Sequence, residues 1–191
     1  MKKFILINFF FIFVSSTSIA KDISAFNIEN ISLGDSLLEH FKIEEIKKKK
    51  IKYYKNNVFG RITFQNKNPI IFETLQFTFR PEDKSYKLHA IKGISSSFKN
   101  IQECLQIKEK IYKNILETFN NKIKIEDLGS YANDYDKSGD SKINQIYFYF
   151  NSGAIIDLAC HDWSKKITKD NGWNDNIRLL IKSSEFIDFL K

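Results

Sequence analysis

Two cysteines, Cys104 and Cys160, constrain this chain more than any other feature. Cys104 falls on the apolar stripe Ile101, Cys104, Leu105, Ile111, Tyr112, Ile115 and Phe119. That three-and-four spacing predicts a core helix from about Asn100, a plausible N-cap, to Phe119. Cys160 alternates with Ile156 and Leu158, so all three point to one face of a predicted strand. A helix laid stripe-down on that face brings the two sulfurs together. In an oxidising compartment they form a disulfide, which ties helix to sheet. The competing reading is two buried free thiols.

The N-terminus supplies the compartment. Met1-Lys2-Lys3 precedes an apolar run from Phe4 to Val14, broken only by Asn8, and Ser15 to Ala20 are mostly small or polar. A basic start, an apolar centre and a small-x-small end at Ser18-Ile19-Ala20 have the form of an export signal cleaved after Ala20. The run is much shorter than the roughly 20 apolar residues that span a bilayer. No cysteine sits just after the cleavage point, so a lipid anchor is not indicated. No later stretch is apolar for long enough to span. Residues 1–20 are therefore expected to be a signal peptide, and 21–191 a single exported domain, periplasmic or secreted. Its 171 residues suffice for one core.

Losing Lys2 and Lys3 with that segment lowers the formal charge from +7 to +5. The remaining cations are lysines apart from Arg61, Arg80 and Arg178. Base and phosphate-backbone recognition favours the arginine fork, and export separates the chain from nucleic acid, so a nucleic-acid role is not expected. The run Lys47–Lys50, with Lys52 and Lys55, could make weak contact with anionic membrane. A solvated helix face is the simpler reading.

The order of elements predicts an α+β fold. Ile31 to Leu33 reads as a short strand, turned by Gly34-Asp35 into an N-terminal helix from Ser36 to about Tyr54, with a break near Lys42. Gly60 to Gln65, Ile70 to Arg80 and Tyr86 to Ile94 read as strands, the last two joined by a turn at Pro81–Ser85. After the core helix comes a polar loop from Gly129 to Lys142. The strand pair Ile143–Phe150 and Ala154–His161 then meets at Asn151-Ser152-Gly153. Ile177 to Ile181 is a last strand, and Ser183 to Leu190 a short C-terminal helix. Such an order implies a mainly antiparallel sheet with one long core helix.

Three segments resemble chemical motifs. Gly34-Asp35-Ser36-Leu37 is the opening of the motif that names the GDSL esterases, and Gly172-Trp173-Asn174-Asp175 is similar to their oxyanion block. The resemblance implies Ser36 as nucleophile and Asn174 at the oxyanion. That family places its histidine base after the Asn block, whereas here no histidine follows Asp175. His161, with Asp157 four residues before it, has the wrong order and spacing. The family's parallel sheet also conflicts with the predicted one. Ser36-x-x-Glu39 reads equally as a helix capping box. The segment Asp134-x-Asp136-x-Ser138-Gly139-Asp140 matches the first half of a calcium loop. Position twelve is Gln145 where a bidentate Glu is needed, and Lys137 and Lys142 add repulsion. In Cys160-His161 the two side chains point to opposite faces, so they do not form a catalytic pair. His40, His89 and His161 lack zinc spacing, and Trp163 and Trp173 are expected at the sheet edge. No metal or cofactor site emerges.

Gly34-Asp35-Ser36-Leu37-Leu38, one mid-helix cysteine and Cys160-x-Asp162-Trp163 together resemble a group of small, uncharacterised exported bacterial proteins. The resemblance implies an exported single domain and no activity. The leading functional expectation is a non-enzymatic exported domain that binds a protein, peptide or envelope partner. The alternative is a GDSL-like serine hydrolase built on Ser36.

Overall fold

The computed structural model describes residues 23–119 and 123–191; the predicted signal peptide, 1–20, lies outside them. The fold is α+β. A two-stranded hairpin of β1 (Asn27–Ile28) and β2 (Ile31–Ser32) precedes α1 (Ile43–Lys47). An eight-stranded antiparallel sheet follows, built from β3 (Lys52–Tyr53), β4 (Gly60–Gln65), β5 (Thr74–Phe79), β6 (Leu88–Ser95), β7 (Lys124–Ala132), β8 (Lys142–Tyr149), β9 (Ile155–Asp162) and β10 (Asn176–Lys182). Its order is β3-β4-β5-β6-β10-β9-β8-β7, so β10 lies between the two meanders. The helices α2 (Ile101–Phe119), α3 (Lys165–Asn171) and α4 (Ser184–Leu190) complete the chain.

Strand alternation gives the sheet two unlike faces. On the inner face one register row reads Ile62, Phe77, Ile91, Ile181, Ile156 and Phe148. The next reads Phe64, Leu75, Gly93, Leu179, Leu158 and Ile146. α2 lies over this face, and its buried Cys104, Ile111, Ile115 and Phe119 follow the predicted stripe. Asn100 caps it, accepting the Glu103 N–H at 3.1 Å. Cys104 and Cys160 are bonded, with Cα atoms 6.1 Å apart. Gly93 has a steric role: a Cβ there would lie 2.5 Å from the Phe72 ring, which packs directly on the backbone.

Three expected boundaries need correction. The strand expected from Ile70 begins only at Thr74. No helix runs from Ser36 to Tyr54. One 3₁₀ turn, Leu37–Glu39, is followed by the five-residue α1 and then by β3. The apolar residues Leu37, Phe41, Ile43 and Ile46 do not form one continuous stripe, and the period stops at Lys47. The following lysines offer no apolar face and repel one another at helical spacing. The segment read as a polar loop from Gly129 begins as strand: β7 extends to Ala132. It is an edge strand with every residue exposed or half-buried, so it carries no apolar alternation to read. Among the described residues, no helix is long and apolar enough to cross a membrane.

Candidate functional site

The outer face carries charge where the inner carries hydrocarbon. One outer row runs Arg61, Thr78, Ala90, Lys182, Ile155 and Tyr149. The next runs Thr63, Gln76, Lys92, Leu180, Asp157 and Tyr147, and the third contains Arg178, Ala159 and Gln145. Arg61, Lys92, Arg178 and Lys182 thus stand on central strands, half-buried rather than solvated. Asp157 is the only carboxylate that strands β4, β5, β6, β10 and β9 place on this face.

The face divides in two. In the half over β8–β10, Asp157 accepts from Arg178 Nη2 at 2.9 and 3.1 Å and from Gln145 Nε2 at 2.7 Å. Gln145 Nε2 also donates to the Tyr147 hydroxyl at 2.8 Å, and its Oε1 accepts from the Tyr131 hydroxyl. Burial and the nearby Asp157 charge push both phenols up from their ordinary pKa. This network is closed: nearly every polar atom has a partner.

The other half is open. Arg61, Gln76, Thr78, Lys92 and Lys182 line a cavity of about 130 Å³ between the sheet and α4, walled by Tyr54, Ala90, Leu180, Phe186 and Leu190. Arg61 leans on the Tyr54 ring, 6.0 Å from its centroid. Arg61 Nε and Gln76 Oε1 are shut from solvent without a hydrogen-bond partner, as is Arg178 Nε. Among the described residues no carboxylate forms an ion pair with Arg61, Lys92 or Lys182. Burial first, then the charges of Arg178, Arg61 and Lys182, pull the Lys92 ammonium down to about 8. Burial also lowers Lys182. Uncompensated like charge in a partly desolvated place is costly unless something offsets it.

The structure does not bring the hydrolase elements together. The Ser36 hydroxyl accepts from Leu38 N–H at 3.1 Å and donates to the Ser85 carbonyl, and Glu39 closes a capping box. Ser36 is bridged to Lys87, next to the start of β6, whereas Asn176 and His161 pair beyond its far end, where Ile177 meets Ser95. The eight residues of β6 separate the two places by at least roughly 26 Å. The His161 ring contacts Asn133 Nδ2 at 3.3 Å and stacks on Trp163, and burial with Arg178 brings its pKa down to about 4. His40 faces Asp35, and His89 faces Glu185. Asn174 lines a separate cleft with Trp163 and Lys165. Trp163 and Trp173 pack together, 4.9 Å between ring centres.

In the Asp134–Asp140 loop, the Asp136 carboxylate is consumed locally. It accepts from Ser138 N–H and Oγ and from Ser141 N–H and Oγ at 2.6–3.1 Å. These bonds hold it well below the usual carboxylate range. Gln145, at the calcium-loop position twelve, turns to the outer face instead. Lys47, Lys48 and Lys50 are exposed, but α1 ends at Lys47, so the run forms no helix face.

The outer-face cluster was missed from sequence, although a signal existed. Arg61, Lys92, Arg178 and Lys182 each occupy the polar phase of an alternating strand, and two of them are among the three arginines. The chain matches no protein-family model, no curated protein and no solved structure.

Proposed function

We propose that this protein is exported to the periplasm or beyond, loses residues 1–20, and works as a non-enzymatic domain that binds an envelope or extracellular partner on the outer face of its sheet. The carrying observation is the open half of that face, where Arg61, Lys92 and Lys182 stand half-buried on central strands without a carboxylate partner. A fold with no use for them would place apolar or neutral side chains there. The Cys104–Cys160 disulfide supports an oxidising compartment. Ser36 supports no enzymatic reading, since its hydroxyl hydrogen is already donated to a backbone carbonyl.

Immobilised protein and two variants, exposed to envelope extract, test this reading. Lys92→Met with Lys182→Met should lose capture, and Lys113→Met with Lys166→Met, on solvated helix surfaces, should keep it. Equal capture by both variants would overturn the assignment of the outer face. Intact mass of protein from the exporting host should lack residues 1–20. A fluorophosphonate probe that labels Ser36 would overturn the non-enzymatic reading.

A further inference from the structure

We propose that the cavity between α4 and strands β4, β5, β6 and β10 binds one phosphate-class oxyanion, free or as a monoester, held by Arg61, Lys92 and Lys182. The inference deepens the reading of the outer face as the binding face and rests on it.

Charge selects the class. Arg61, Lys92 and Lys182 face the cavity, and Asp157, the one carboxylate within electrostatic reach of Lys92, already accepts from Arg178 and Gln145. A carboxylate ligand would leave two of the three charges unopposed. A phosphate dianion leaves one. The lining donors come from four adjacent strands of one sheet face, and α4 covers them. Arg61 Nε lacks an acceptor while shut from water, and a guanidinium presents an N–H fork suited to phosphate oxygens. The Thr78 hydroxyl, on a residue only 3% exposed, adds a neutral donor.

Size agrees too. About 130 Å³ exceeds several times the roughly 30 Å³ share of one water. The aromatic and aliphatic walls of Tyr54, Phe186 and Leu190 lower the local dielectric, which strengthens each ion contact. Leu190 is half exposed, so the rest of an ester can leave past it. A larger cleft, of about 370 Å³ near the N-terminal hairpin, has no comparable charge. Its Glu29 carboxylate is held by the Ile70, Ile71 and Phe72 N–H groups, each at 2.8 Å.

The test titrates the protein with inorganic phosphate, with glycerol phosphate, and with phosphatidylcholine vesicles with and without phosphatidic acid. Amide chemical shifts and calorimetry give the readout. Saturable shifts of residues 61, 76, 92 and 182 with a soluble phosphate identify a solute ligand. Binding only to the phosphatidic acid vesicles identifies a lipid headgroup, and either supports the site. Arg61→Gln and Lys92→Met should each weaken binding by about tenfold or more, and Lys166→Met should leave it unchanged. Lys182→Met provides a further variant should either fail to fold. Binding in no arm, or binding equally strong in Arg61→Gln and Lys92→Met, overturns the site. If no arm binds while capture from envelope still depends on Lys92 and Lys182, the oxyanion assignment fails and the binding face stands. Phosphate binding with capture unaffected by those variants leaves the site and removes the wider reading.

Discussion

The inner and outer faces of this sheet share the same strands and the same register yet obey different rules. The inner face is largely apolar: its rows, a helix stripe and a disulfide specify one packing, and the buried Lys108 of α2 is satisfied by Asn144 of β8. The outer face places four cations and a single carboxylate on the central strands, with guanidinium nitrogens left unpaired. Apolar burial drives folding, whereas half-buried like charge opposes it. The inner face therefore accounts for why the chain folds. The outer face is where stability has been given up, and such places coincide with function more often than with chance.

The largest loss should come from cutting the inner face's covalent tie. The bridge joins residues 56 apart in sequence, and chain-entropy scaling places its stabilisation near 4 kcal/mol. Reduction, or Cys104→Ser with Cys160→Ser, should lower the melting temperature markedly. An unchanged melt would show that the helix needs no tether to the sheet.

Next comes Asp157, the one acid that the central strands place on the outer face. Asp157→Asn would leave Arg178 and its cationic neighbours unopposed. Removing one partner of a buried pair costs about 3–5 kcal/mol, and the lower end applies because the Arg178 side chain is 22% exposed. Chemical denaturation that shows a loss under 1 kcal/mol would mean the cations are better solvated than their positions indicate.

The opposite sign is expected at Lys92. Replacing a half-buried, unpaired cation by an apolar side chain of similar length should stabilise by about 1–3 kcal/mol at neutral pH. Burial, with Arg178, Arg61 and Lys182 against Asp157, sets its pKa at about 8 when folded, against 10.5 for a free lysine side chain. Between these values the unfolded chain binds more protons, so wild-type stability rises with pH. The advantage of Lys92→Met should be full below pH 8 and disappear as pH approaches 10.5. Melting curves across that range that ran parallel would refute a strained ammonium.

The smallest effect belongs to neither face. Ser36→Ala removes a cap and should cost about 1 kcal/mol. A change in hydrolytic activity, measured with a chromogenic ester, would point away from a cap.

Legibility followed the same division. The α2 stripe and the alternation around Cys160 could be read because buried hydrocarbon recurs at a helix or strand period, and from these the disulfide followed. β7 was hidden because an edge strand buries little, and α3 because its seven residues bury only Ile167. The length of the N-terminal helix was over-read: Ile43 and Ile46 start a period that the next lysines do not continue. The cationic cluster stayed invisible for another reason. Alternation assigns Arg61 and Lys92 to the polar side of their strands, but it does not say that β10 places Arg178 and Lys182 beside them. That juxtaposition depends on long-range pairing, which no local pattern encodes.

The position of β10 has a consequence for how the molecule comes into being. It is the last strand in the order of the chain, yet it fills the middle of the sheet, hydrogen-bonded to β6 on one side and β9 on the other. A polypeptide threaded through a translocation pore N-terminus first would deliver two separate half-sheets, spanned at that stage by α2 and its sulfur bridge. The keystone arrives later. Until it does, neither the continuous inner core nor the row that sets Lys182 opposite Ala90 exists. A chain shortened by its final sixteen residues would lose the join between the halves along with β10 and α4. The outer face is therefore complete only once β10 has paired with β6 on one side and β9 on the other.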